Sequence, residues 1–440
     1  MFKTVMPLSS IIALRFFGLF LVLPVMSVYA MGLEGSTTVL VGVVIGGYAL
    51  TQMIFQVPFG IMSDKLGRKG TIILGLLLFA IGSVICAVST DILTLLLGRL
   101  LQGAGAIGAV VSAMISDVVK EEQRSKAMAI MGGSIAASFA LAMIAGPLLG
   151  ASFGIEILFW ITGFIAMASI VILVTKVPNP PKITHTYHEK TKMAEILLNP
   201  NLVRMNITNF LQKGLMTFAF MIIPMILLKE FGWELKELWK VYLPAMVFGV
   251  LAMGPAAVFA EKRGKFKEVL MAGIVFFALS YYIIGNNGGS DTMFIVGVVL
   301  FFIGFNMHEP IMQSLASKFA KVHQRGMVLG IFNAFGYLGT FLGGLIGGIY
   351  FDSVPLESIA LVIVVISLLW IGLIASMPNP SKKRLAYLSL DTYNRETLEV
   401  LDDENSIDEW YINDTENIVI VKYDGDVIDE DTIKGKLATI

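Results

Sequence analysis

Gly60-Ile61-Met62-Ser63-Asp64-Lys65-Leu66-Gly67-Arg68-Lys69 is a charged turn wedged between two long apolar stretches. Upstream, residues 39–62 hold almost no ionisable side chain, and downstream the next apolar stretch begins at 71. Ten further stretches follow the same plan, so that roughly 8–32, 39–62, 71–90, 92–116, 125–150, 154–176, 204–228, 239–260, 267–285, 292–317, 326–350 and 356–377 read as twelve apolar segments. Each is near the ~20 residues that a helix needs to cross a ~30 Å hydrocarbon layer. The chain is 56% hydrophobic and 15% charged, with a mean hydropathy of +0.78. The runs are continuous rather than alternating, which excludes a barrel. Backbone groups in lipid must be paired within the segment, which leaves helices. The 43 glycines suit helices that approach closely in a membrane.

The loops after even-numbered segments carry Lys65, Arg68, Lys69, Lys120, Arg124, Lys126, Lys262, Arg263, Lys265, Lys267, Lys318, Lys321 and Arg325, and the long sixth loop adds Lys182, Lys190 and Lys192. The other side has Lys229, Lys236 and Lys240. Positive loops stay in the cytoplasm, so both termini are expected there. No cleavable leader is read at the start: the first segment is too long for a signal core and has no small-residue cleavage site. Cys86 is single and sits inside the third segment, where it reads as a small apolar residue.

The chain repeats itself. Val177-Pro178-Asn179-Pro180 ends the sixth segment and Met377-Pro378-Asn379-Pro380 the twelfth; Gln123-Arg124 precedes the fifth and Gln324-Arg325 the eleventh. The charged turn has a degraded echo at Glu261-Lys262-Arg263-Gly264-Lys265. An offset near 200 residues gives two six-helix halves, 1–177 and 204–378, joined by a polar connector, 178–203, with a short surface helix expected at Met193–Leu198. Parallel halves with a binding site between them are a transporter architecture.

After Arg384 the composition changes. Residues 385–440 hold 15 acidic and 4 basic side chains, a net of −11, which leaves +10 for the rest of a chain whose total is −1. Tyr387–Leu390, Glu409–Ile412 and Asn417–Tyr423 read as strands. Thr392–Asp403 and Asp429–Leu437 read as helices, the second capped by Asp429. The order β-α-β-β-α predicts a small cytoplasmic ferredoxin-like unit without its last strand. Its charge suggests docking on the basic cytoplasmic face, at the connector and around Lys262–Lys267.

Ionisable residues inside spans are costly and mark function by default. Glu309 lies about two turns inside the tenth segment, beside His308, and is the candidate proton site; the alternative is a neutral Glu that bonds a neighbouring helix. For His308 the alternative is a satisfied interior imidazole. Arg15 on the first segment is a further proton-coupling candidate, with snorkelling to the surface as the alternative. Lys213 and Asn209 on the seventh segment, and Tyr48, Gln52 and Gln56 spaced by four on the second, are candidate walls of a substrate cavity, or else helix contacts. Gly339, Gly343 and Gly347 form a small-residue face on the eleventh.

The pattern G-x-x-S-D-K-x-G-R-K over Gly60–Lys69 resembles the signature of the major facilitator superfamily of secondary transporters. Arg99-Leu100-Leu101-Gln102-Gly103 resembles a second superfamily motif, associated there with proton transfer. Gly146-Pro147-Leu148-Leu149-Gly150 resembles the motif at which helix five bends in the drug:proton antiporters, although Ala142 and Ala151 stand where that motif has glycines. The whole chain, tail included, is similar to the bacterial YajR group of the superfamily. The resemblance implies that Gly60 lets span two touch span eleven, that Asp64 faces the N-terminus of that helix, and that Arg68 bridges Asp64 to Asp117. With Gly67 these residues would form a latch that favours the outward-facing state.

The expectation is therefore an all-α membrane protein with a small α+β tail: a proton-coupled secondary transporter of a small molecule in a bacterial inner membrane, leaning to efflux by antiport. Uptake by symport, or a transporter-like sensor signalling through the tail, are the alternatives. Partners are the substrate, protons and lipid, with no nucleic acid. No phosphate-binding G-x-x-x-x-G-K-[ST] occurs, nor H-E-x-x-H or C-x-x-C, and His185 with His188 is a poor metal pair, so no enzyme, cofactor or metal is expected.

Overall fold

A computed structural model describes residues 2–179, 185–187, 193–321, 324–378, 383–393, 398, 401, 404, 406–425 and 427–438. Twelve of its helices are long and apolar enough to cross a membrane. They run Lys3–Met31, Thr38–Leu66, Arg68–Ala87, Ile92–Val118, Lys126–Phe153 and Glu156–Lys176 in the first half. In the second they run Pro200–Lys229, Leu235–Arg263, Phe266–Gly285, Asp291–Phe319, Arg325–Tyr350 and Leu356–Ala375. We number these spans one to twelve.

Two spans are interrupted, each for a local reason. Span one breaks at Val22, where Pro24 opens the following segment Leu23–Met31; proline has no N–H for the preceding turn and crowds its carbonyl. Span four breaks between Ala104 and Gly108, where Gly105 presses on the backbone of Gly75 in span three. Span five runs unbroken through Pro147 from Arg124 to Phe153. Its Gly146 lies against the Leu21 carbonyl at the break of span one, where a Cβ would clash. The interruption at this level therefore belongs to span one, and the glycine of span five is the surface it presses on.

Caps set other ends. Asp91 accepts the Thr94 amide at 2.9 Å and starts span four, and Asn199 accepts the Asn201 and Leu202 amides ahead of span seven. Between the halves, Met193–Leu198 is a short helix.

The halves meet through spans that lack bulk. Span eleven turns Gly339 and Gly343 to the backbones of Phe210 and Gly214 in span seven, and Gly347 to Met221. Its other face sets Gly344 against Gly42 and Gly348 against Thr38 of span two, across the two halves. All these contacts lie on the side away from the Gly60–Lys69 turn. Phe139 of span five joins the same closure, with Phe220, Phe302 and Phe305 of the second half at ring separations of 6.5, 6.4 and 5.8 Å. At the basic end the picture reverses. Gly60 in span two, Gly132 and Gly133 in span five, and Gly326 and Gly330 in span eleven all face open space. The halves are closed at the end remote from the basic loops and parted at the basic end.

The tail is a small α+β ferredoxin-like domain. Strands β2 (Lys383–Ser389), β3 (Ile407–Asn413) and β4 (Ile418–Asp424) stack in the order β3-β4-β2, all antiparallel. This order is that of a ferredoxin-like sheet without its final strand. Ala386, Leu388, Trp410, Val419 and Val421 form a core with Ile433 and Leu437 of the closing helix, Glu430–Ala438. The helix expected over Thr392–Asp403 falls largely outside the described residues. The sheet gains a strand that the sequence reading treated as linker: β1, His185–Tyr187, pairs antiparallel with β3 through His185–Asn413 and Tyr187–Tyr411. Thr186 and Tyr187 favour extended backbone, but three residues are too short a run to signal a strand; the open edge of β3 imposes the conformation.

Tail and spans touch at the basic end. Lys422, only 6% exposed, donates from Nζ to the carbonyl oxygens of Ala320 at 2.8 Å and Lys318 at 3.3 Å. These are the last carbonyls of span ten, the negative end of its dipole. A cavity of about 360 Å³ separates the β3–β4 turn, Thr415 and Glu416, from Thr4, Asp117, Val119 and Lys120 of the first half.

Candidate functional site

Polar groups inside the spans converge on the space between the halves. Lys213 of span seven is ion-paired with Glu309 of span ten. Both are partly exposed there, at 26% and 36% of their side chains. Lys213 Nζ also lies 4.9 Å from the centre of the Phe305 ring, a cation–π contact. A candidate cavity-wall residue and the candidate proton site are thus one unit in the fold.

Arg15 faces this region from the first half. Span one begins at Phe2, so Arg15 lies about 20 Å along it at ~1.5 Å per residue. It is 0% exposed, and snorkelling to the surface is therefore not its solution. Its Nη2 donates to Gln52 Oε1 at 3.4 Å, and the Phe79 and Phe16 rings lie 5.3 and 5.7 Å from the guanidinium. Gln52 Nε2 in turn donates to the Tyr337 hydroxyl at 2.7 Å, which links span two to span eleven across the halves. Gln56, one turn further along the stripe, is half-buried towards the basic end.

Arg99 sits deeper inside the first half. The Tyr48 ring lies 4.7 Å from its guanidinium, and Nη1 donates to Gln102 at 2.8 Å. Gln102 donates onward to Ser83 at 2.8 Å. Gly103 of the same motif touches the Tyr48 carbonyl. Tyr48 and Arg99 thus belong to the helix-packing interior of spans two, three and four.

Two candidates face elsewhere. His308 is 0% exposed; its Nε2 bonds the Leu270 carbonyl of span nine at 2.8 Å, and Phe277 and Trp370 pack edge-on against the ring. One residue along a helix turns the side chain by about 100°, so His308 and its neighbour Glu309 serve different surfaces. Asn209 donates to the Phe332 carbonyl at 2.7 Å and packs against Gly336, tying span seven to span eleven.

At the basic turn, Arg68 is the hub. Nε donates to Asp117 at 2.9 Å, and Nη1 to Asp64 at 2.6 Å and to Ser63 at 2.7 Å. Gly67 takes φ +96°, a conformation open to glycine, and lets span three start at once after span two. This arm lies wholly in the first half. Asp64 is 66% exposed and Gly60 meets nothing within 4 Å, so neither makes the contact with span eleven that the resemblance implied.

Comparison with known proteins places this arrangement. The sequence profile of the Major Facilitator Superfamily matches residues 8–267 and, overlapping, 245–390. The chain belongs to the major facilitator superfamily. It is 35% identical over 378 residues to the "Inner membrane transport protein YajR" of Escherichia coli K12, covering 85% of this chain and 83% of that protein. It is 28% identical over 358 residues to the "Quinolone resistance protein NorA" of Staphylococcus aureus MSSA476, covering 78% and 88%. Among solved structures, a bacterial homologue of the human lysosomal transporter Spinster superposes with a TM-score of 0.67 at 16% identity, covering 84% of this chain and 96% of that one.

For a superfamily transporter the residues that sequence reasoning missed are aromatic. Tyr337 forms the polar link between halves, and Phe139, Phe302 and Phe305 close one end. In sequence each is one more aromatic in an apolar run. Only Tyr337 carried a signal, a hydroxyl two residues before the glycine face of span eleven.

Proposed function

We propose that this transporter exports a small molecule across a bacterial inner membrane in exchange for protons, by alternating access. The observation that carries the reading is the Lys213–Glu309 ion pair in the space between the halves. A carboxylate that is paired when ionised leaves its lysine unpaired when protonated. One proton therefore changes the charge presented to a substrate and the attraction between spans seven and ten. The basic loops orient the protein with its parted end and both termini in the cytoplasm, so the arrangement is the inward-facing one. The inner-membrane assignment draws on the name of the Escherichia coli relative. The direction draws on the quinolone-resistance relative, since a transporter confers resistance by moving the compound out.

Of the proton-coupling candidates, we place the exchangeable proton on Glu309. His308 is buried and bonded through Nε2 to span nine, away from the space between the halves, and Arg99 serves the packing of the first half. Arg68, Asp64, Asp117, Gly60 and Gly67 act on the equilibrium between states. The tail modulates this cycle: its lysine caps span ten, the helix that bears Glu309, and its β3–β4 turn faces the first half across a gap.

In proteoliposomes under an imposed pH gradient, Glu309→Gln is expected to abolish gradient-driven flux while sparing exchange of substrate for substrate. A Gln variant that still moves substrate uphill would place the proton site elsewhere.

A further inference from the structure

Away from the span ends, the described residues of the membrane helices include three cations, Arg15, Arg99 and Lys213, and one carboxylate, Glu309. Three against one leaves two positive charges in excess in the middle of the membrane. Lys213 has Glu309, and Arg99 has Gln102, the Val44 carbonyl and the Tyr48 ring. Arg15 is the least satisfied. Its one acceptor, Gln52 Oε1, lies at 3.4 Å, beyond the usual ~2.7–3.2 Å, and its Nε and Nη1 are buried without an acceptor. Among the described residues no carboxylate forms an ion pair with it. A buried arginine in this condition lacks a counter-charge.

Gln52 and the half-buried Tyr337 stand between Arg15 and the space between the halves. Across that space lies Lys213 at a similar depth, because its neighbour Gly214 touches Gly339, two residues from Tyr337. We propose that Arg15 is the substrate-recognition residue and that the transported molecule is a small organic anion, whose carboxylate displaces Gln52 from Nη2 and accepts from Nη2 together with one of the two unpaired donors, Nε or Nη1. This rests on the transporter reading above. The edge of the guanidinium that includes Nη2, once Gln52 leaves it, is matched by a carboxylate, and Lys213 supplies a second cation when Glu309 is protonated.

The test is ligand-dependent thermal stability of the full-length protein in nanodiscs, with benzoate, phenylacetate and succinate against the shape-matched benzamide and benzylammonium. At least one carboxylate is expected to raise the Tm of the wild type, with benzamide and benzylammonium inert. Arg15→Gln should weaken that carboxylate about tenfold or more, as expected for loss of a bidentate charge-assisted pair, and Arg15→Lys should retain part of it. Gln52→Glu, which supplies the missing acceptor from within, should raise the Tm of the unliganded protein and abolish the carboxylate effect. This variant decides the matter should Arg15→Gln not fold. The proposal is overturned if no carboxylate stabilises the wild type, if benzamide or benzylammonium does so equally, or if Gln52→Glu binds carboxylate like the wild type. The assay has no proton gradient, so failure here leaves coupling at Glu309 standing, and loss of coupling in Glu309→Gln leaves anion binding standing.

Discussion

Gln52 of the first half donates a 2.7 Å hydrogen bond to the Tyr337 hydroxyl of the second. The two residues lie 285 positions apart in the chain. On one side of this bond spans two and eleven are in backbone contact through Gly42, Gly344 and Gly348; on the other, Gly60 and Gly330 face open space. The bond thus marks the level at which the two halves begin to part.

Tyr337→Phe removes the acceptor and nothing else of comparable size. A typical hydrogen bond contributes about 1 kcal/mol net, so the ratio of the two access states should change by about fivefold. Spin-label distances between the basic ends of spans two and eleven check this. An unchanged distance distribution would show that the bond does not bias the equilibrium.

Gly344→Ala places a methyl group on the backbone of Gly42. Overpacking of this kind costs about 1–3 kcal/mol and is paid only in the state where the two helices touch. The variant should favour the opposite state, seen as greater thiol labelling of cysteines placed at the end remote from the basic loops. Gly60→Ala meets open space in this state; with Gly60 acting in the closure on span eleven in the other state, its methyl group should shift the equilibrium the opposite way and lower that labelling.

Asp64→Asn should slow transport while leaving substrate affinity within a few-fold. Arg68 keeps its 2.9 Å bond to Asp117, so the turn stays folded, and what is lost is a charge available to the N-terminus of span eleven. Large loss of affinity with unchanged accessibility would assign Asp64 to substrate binding instead.

Removal of the tail from Lys383 onward should leave a folded twelve-span protein with an altered rate. Lys422→Ala should reproduce part of that change. Salt separates two kinds of docking. Exposed charge pairs weaken as the Debye length falls from about 10 Å at 0.1 M to about 3 Å at 1 M, whereas the buried Lys422 contact is screened far less. Docking that survives 1 M salt in the wild type but not in Lys422→Ala, read by cross-linking between tail and span ten, is the expected result. Abolished transport in a folded truncation would make the tail essential rather than modulatory.

The sequence by itself determined the twelve spans, the two halves, the charged turn and the three strands of the tail. These are properties of local runs: a bilayer sets the length of an apolar segment, and period-two patterning sets a strand, each within about twenty residues. The Arg68 bridge to Asp64 and Asp117 came from the family resemblance and not from the local run. What tertiary structure decided is which face each helix turns to which neighbour. Lys213 and Glu309 lie 96 residues apart, and their pairing depends on the rotation of two helices about their own axes. That rotation is fixed by close contacts such as Gly339 on Phe210 and Gly304 on Gly273, which no local pattern encodes. The same rotation turned His308 towards span nine, buried Arg15 beneath Gln52, and left Asp64 without span eleven. The strand at His185–Tyr187 likewise exists because β3 has an edge to be paired, a need that arises only after the tail has folded.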